Sequence, residues 1–140
     1  RDRSPSRGLG DVYKRQQEEK EKMPEQYEAV SLDDFVEYSK SMFEYWTEDD
    51  FASSFRKMLT IEQFRSEEMQ KLYQQYLVAG PASYVKALFE SIGIVNAKDK
   101  AARFYAVMHF YYSLYDGAAD KEKVKVEFVS AIKSLVQDLA

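Results

Sequence analysis

Residues 31–46 read SLDDFVEYSKSMFEYW, and the spacing of their apolar positions decides the fold class. Leu32, Phe35, Val36, Phe43 and Trp46 fall on one stripe at helical period, and Tyr38, Met42 and Tyr45 widen it. Asp33, Glu37, Lys40 and Glu44 occupy the opposite side. Ser31 can accept from the first free backbone amides, and Asp33 and Asp34 favour the positive end of the helix. The same period recurs in nearly every segment after Met23, with no sustained apolar–polar alternation to argue for strands. The chain is expected to be all-α.

Outward from this helix, Thr47 is expected to cap a short one carrying Phe51, Phe55, Met58 and Leu59 on one face. Thr60 and Gln63 have the spacing of another capping box. Ser66, with Glu67 and Glu68, opens a helix that turns Met69, Leu72, Tyr73, Tyr76 and Leu77 inward. Gly80-Pro81 is expected to stop it, with Pro81 as first residue of a helix whose stripe (Val85, Leu88, Phe89, Ile92) ends at Gly93.

Residues 104–115, FYAVMHFYYSLY, have only His109 and Ser113 as non-aromatic polar positions. A helix apolar on every side must be covered on every side, so one face takes the core and another needs a partner subunit or a ligand. After Gly117, Asp120 begins a last helix with Val124, Phe128, Ala131, Leu135 and Leu139 on one stripe and Val129, Ile132 and Val136 beside it.

The chemistry available is narrow. One histidine and no cysteine give no support to a Ser-His-Asp or Cys-His arrangement, and disulfides and thiolate metal sites are excluded. Asp33/Asp34, Glu48/Asp49/Asp50 and Glu67/Glu68 all lie near helix starts, where dipole compensation explains them. Ala106 stands where a Glu-x-x-His pair with His109 would need its glutamate. No catalytic residue, metal site or cofactor is expected. The aromatic content is the better clue: Trp46, Phe51, Phe55, Tyr73, Tyr76, Tyr105 and Tyr112 suit a cavity for a flat or apolar molecule, although each taken alone also suits a core. His109 shares one stripe with Tyr105, Tyr112 and Asp116, which makes it a polar anchor of such a pocket. It shares another with Ala102, Ala106 and Ser113, which points to a close helix–helix interface instead; a hydrogen-bonded core histidine is the third reading. Arg56, Lys57 and Arg65 read as solvated surface charge, with a coupling role as the alternative.

Residues 11–16, DVYKRQ, back-translate to GAT-GTG-TAT-AAG-AGA-CAG, which resembles the transposon end ligated to fragments during sequencing-library preparation. Residues 1–16 are therefore expected to be a non-native tail on a truncated reading frame, a native basic tail being the other reading. That stretch holds five basic and two acidic residues, so without it 20 basic and 24 acidic become 15 and 22. An acidic body repels phosphate backbones and is not expected to bind nucleic acid itself. No apolar run approaches the roughly 20 residues a membrane span needs. No membrane partner and a cytoplasmic location are expected.

The block from Phe55 to Leu77, FRKMLTIEQFRSEEMQKLYQQYL, followed by Gly80-Pro81 and Tyr84, resembles the C-terminal domain of TetR-like transcriptional regulators. The resemblance extends in architecture over about Met23 to Ala140 and is most specific from Leu59 to Tyr84. It implies a bundle of about six helices over residues 31–140, a connecting-helix remnant over 17–30, and a missing N-terminal helix-turn-helix domain through which DNA would be bound. It also implies a small-molecule effector, apolar or aromatic, taken up among Trp46, Phe51, Phe55, Tyr73, Tyr76, Tyr105, His109 and Tyr112. A homodimer is implied, joined as a four-helix bundle through the last two helices by Phe104, Met108, Tyr111, Tyr115, Phe128, Ile132, Leu135 and Val136. A helical protein-interaction module and a helical enzyme domain are the alternatives.

Overall fold

The computed structural model describes residues 31–139, so the expectations for residues 1–30 lie outside the described residues. Within them the chain forms six helical segments and no strand: α1 (Leu32–Glu48), α2 (Asp50–Glu62), α3 (Glu67–Leu77), α4 (Ala79–Ser91), α5 (Ala97–Gly117) and α6 (Lys121–Gln137). No helix among them is long and apolar enough to cross a membrane.

Local chemistry sets most of the ends. Ser31 Oγ accepts from the Asp34 amide at 3.2 Å and Ser66 Oγ from that of Met69 at 3.1 Å. Asp120 Oδ1 accepts from the Lys123 amide at 3.1 Å. Each cap satisfies a donor that has no partner within its helix. At the other end of α4, Gly93 takes φ +82°. The Ile94 amide then reaches back to the Phe89 carbonyl at 3.0 Å, and that of Gly93 to Glu90 at 3.1 Å. A glycine is needed there because side chains rarely tolerate that φ.

Two threonines expected to open helices do something else. α1 runs past Thr47, whose buried Oγ1 donates to the Phe43 carbonyl at 2.7 Å; Asp49 caps α2 instead, accepting from the Ala52 amide at 2.8 Å. Thr60 lies inside α2 and donates to the Arg56 carbonyl at 2.7 Å, while Gln63 Nε2 donates to Thr60. The Thr60–Gln63 pair therefore finishes α2 rather than starting a new helix. Both threonines make the back-bond to the preceding turn that competes with capping in this residue type. The α3–α4 break comes earlier than Gly80-Pro81, at Val78, and Pro81 is the third residue of α4.

α5 is the central rod, packed against α1, α4 and α6. Phe35 of α1 meets Phe104 at 4.9 Å and Phe89 of α4 at 5.2 Å between ring centroids. Phe43 stacks on Phe128 of α6 at 4.2 Å and on Tyr112 at 5.6 Å. Edge and offset ring pairs of this kind add to the area they bury. At the rim of the α1–α6 contact, Lys125 Nζ stands 2.7 Å from Glu48, 3.2 Å from Glu44 and 3.4 Å from Glu122. Hydrogen bonding to Glu48 leads the effects that raise its pKa above the ordinary lysine value, so the ammonium stays charged.

Candidate ligand site

The site begins with an arginine on the wrong side of its helix. α2 buries Ala52, Phe55, Arg56 and Leu59, so Arg56 occupies the apolar stripe and is only 5 % exposed. Its Nε donates to the Trp46 carbonyl at 2.9 Å, near the end of α1 where helix carbonyls run out of partners. Its Nη1 and Nη2 donate to the two carboxylate oxygens of Asp116 at 3.0 and 2.7 Å. The guanidinium lies over the Tyr112 ring, 4.9 Å from the centroid. A buried guanidinium is tolerated because its donors meet a carbonyl, a carboxylate and a π face at once. Arg56 is therefore not the solvated surface charge its neighbours in sequence suggested. Arg65 is exposed and pairs with Glu62 at 3.4 Å, and Lys57 is exposed.

Around this arginine stand most of the aromatic residues named for a pocket. Phe51 stacks on Phe55 at 5.9 Å, Phe55 on Trp46 at 6.5 Å, and Tyr76 of α3 meets Phe55 edge-on at 5.5 Å. From α5, Tyr105, His109 and Tyr112 follow one another at 6.3 and 5.5 Å. Arg56 touches both groups, through the Trp46 carbonyl and the Tyr112 ring. Tyr73 is half-buried at the edge of the core. Phe55, Trp46, Tyr76 and Tyr112 are buried, so in this conformation they serve as core. Burial pushes the Tyr105 and Tyr112 phenols above their ordinary value, and both stay protonated at neutral pH.

His109 faces inward. Its Nε2 lies 2.7 Å from the Leu77 carbonyl, where α3 ends. A carbonyl only accepts, so Nε2 carries the hydrogen. Burial holds the imidazole below its ordinary 6.5; the nearby Arg56 charge adds to this, and the Leu77 hydrogen bond opposes it. Within the chain it contacts Tyr105 and Tyr112 of one stripe, while Ala102, Ala106 and Ser113 of the other are exposed.

The residues expected at a dimer interface fall into two sets. Phe104, Met108, Phe128, Ile132 and Val136 are buried within the single chain, because α1 covers the wide stripes of α5 and α6 with Phe35 and Phe43. Each is at most 8 % exposed. Tyr111, Tyr115 and Leu135 are half-buried. The apolar surface left open on these two helices is Phe110, Leu114 and Val126, exposed by 58, 39 and 66 %.

Among the described residues, no three histidine, aspartate or glutamate side chains converge to hold a metal ion. Sequence reasoning missed Arg56 and Asp116 as partners. The available signal was a cation at the i+4 position of the Ala52–Phe55–Leu59 stripe and a carboxylate on the Tyr105–Tyr112 stripe. These features define a helical bundle with an aromatic cluster organised around one buried arginine. No family model, curated protein or solved structure matches the chain.

Proposed function

We propose that residues 31–139 are the effector-binding and dimerisation domain of a TetR-like transcriptional regulator, a repressor whose DNA contacts come from an N-terminal helix-turn-helix domain. The observation that supports it best is the aromatic cluster, in which Phe51, Phe55, Trp46 and Tyr76 meet Tyr105, His109 and Tyr112 through Arg56. The rings give an apolar or aromatic effector its contact area, and the phenols and imidazole orient it. Because these rings pack on one another, the effector must part them to enter. Bound and free states then differ in helix arrangement, which is the differential affinity that ligand control requires.

Naphthalene and 1-naphthol are suitable probes. At a hundredfold excess over Kd, binding adds about 2.7 kcal/mol, or on the order of 10 °C in Tm for a domain of this size. Quenching of Trp46 fluorescence should accompany the shift. A panel of such compounds that moves neither quantity removes the effector assignment.

Phe110, Leu114 and Val126 provide the surface for the homodimer, with Tyr111 beside Phe110. Sedimentation equilibrium should show a dimer that Phe110→Lys with Val126→Lys dissociates. A wild-type monomer at all concentrations removes the dimer. The same open residues favour a second reading, a helical module that binds another protein there; its sign is a monomer that no probe stabilises. The upstream coding sequence decides the regulator itself, which fails if no helix-turn-helix is encoded in frame.

A further inference from the structure

α3 and α4 are separated by one residue, Val78, at φ −131° and ψ −86°. In an uninterrupted helix the Leu77 carbonyl would accept from the amide of residue 81, but that residue is Pro81, which has no N–H. Gly80 comes so near the preceding turn that a Cβ on it would stand 2.0 Å from the Gln75 carbonyl oxygen. On either side the ladder continues: the Val78 amide donates to Gln74 at 3.2 Å and the Ala82 amide to Val78 at 3.0 Å. Proline thus takes from Leu77 the donor a helix would have given it. The replacement comes from 32 residues further along the chain, as His109 Nε2 at 2.7 Å.

We propose that His109 is a latch: it supplies the hydrogen bond that Pro81 withholds, and so fixes the α3–α4 junction against α5. The Val78–Pro81 segment is then a hinge, closed by that bond and opened by its loss. α3 carries Tyr76 and α5 carries Tyr105 and Tyr112, so opening the latch separates two walls of the aromatic cluster. Arg56 approaches the same ring set from α2 through Tyr112 and holds its own bonds to Trp46 and Asp116, independent of Leu77. The latch stands on backbone chemistry and holds whether or not the cluster takes a ligand. It is a positioning role, since His109 acts through the Leu77 carbonyl.

Amide hydrogen exchange on the full 140-residue chain tests it. His109→Leu should speed exchange at Val78 and Ala82 about tenfold more than at amides in the middle of α1, because only the hinge loses its tie. His109→Gln, whose side-chain amide can donate to the same carbonyl, should keep most of the protection. Pro81→Ala added to the Leu variant should restore it, by returning a backbone donor to Leu77. Equal acceleration in all six helices, or no rescue by either route, overturns the latch. If His109→Leu does not fold, His109→Gln is compared with the shorter His109→Asn: protection at Val78 and Ala82 kept by Gln and lost by Asn supports the latch, and equal protection in both overturns it.

Discussion

Arg56 and Asp116, sixty residues apart, meet through two parallel hydrogen bonds and join the start of the bundle to the end of α5. Asp116 sits in the last turn of α5, where the helix dipole disfavours an acid, and the guanidinium offsets that. The two ends of the pair are unequal: the Arg56 side chain is 6 % exposed and that of Asp116 31 %. Arg56→Met also leaves the Trp46 carbonyl without its donor, and should cost about 3–5 kcal/mol. Asp116→Asn, whose site water can reach, should cost about 1–3 kcal/mol. Urea unfolding of the two variants and their double should give less than the sum of the single effects. Full additivity would mean the pair is not coupled.

Gly80→Ala reverses the usual helix rule. In an exposed helix interior the change gains about 1 kcal/mol. Here the new Cβ would lie 2.0 Å from the Gln75 carbonyl oxygen, a backbone atom that cannot swing aside. A net loss of about 1–3 kcal/mol is expected, read as a lower urea midpoint.

Stability should fall on mild acidification through His109. Its folded pKa lies below 6.5, so between the two values the unfolded chain binds more protons. The contribution is complete above the unfolded value and is lost as the pH falls through it toward the folded one. His109→Gln should flatten that part of the profile between pH 7.5 and 5.5. An unchanged slope would show that the imidazole is not the group responsible.

The caps give a paired comparison. Ser66→Ala should cost about 1 kcal/mol, because the Met69 amide loses its acceptor. Thr60→Ala should cost a few tenths or less, roughly, since its hydroxyl only back-bonds to a carbonyl inside α2. Chemical denaturation of both variants checks the ranking, which the capping-box reading of Thr60 would level, at about 1 kcal/mol for each.

What could be read in the sequence was local. Ser31, Ser66 and Asp120 were legible as caps because a cap concerns residues three apart, and Gly93 as a stop because a left-handed turn needs glycine. Thr47 and Thr60 misled because a threonine that caps and one that back-bonds look alike in sequence. The aromatic set was legible as a group from helical spacing. Its centre was not, since Arg56 is buried only by virtue of Asp116 and Tyr112 on a helix far along the chain. The breadth of the last two stripes was equally plain, but a stripe does not say what covers it. α1 does part of that covering, with Phe35 on Phe104 and Phe43 on Phe128.

The stacking of Phe43 on Phe128 has a consequence for biosynthesis. The two rings are separated by about 85 residues, so at roughly 5–20 residues per second the ribosome needs about 4–17 s to deliver the cover for α1. During that interval Phe89, Phe104 and Tyr112 can already reach α1, but the side of Phe43 that Phe128 covers stays open. A stall before α6 emerges is expected to leave that side of Phe43 in water, and exposed apolar surface of this kind favours aggregation of an incomplete chain.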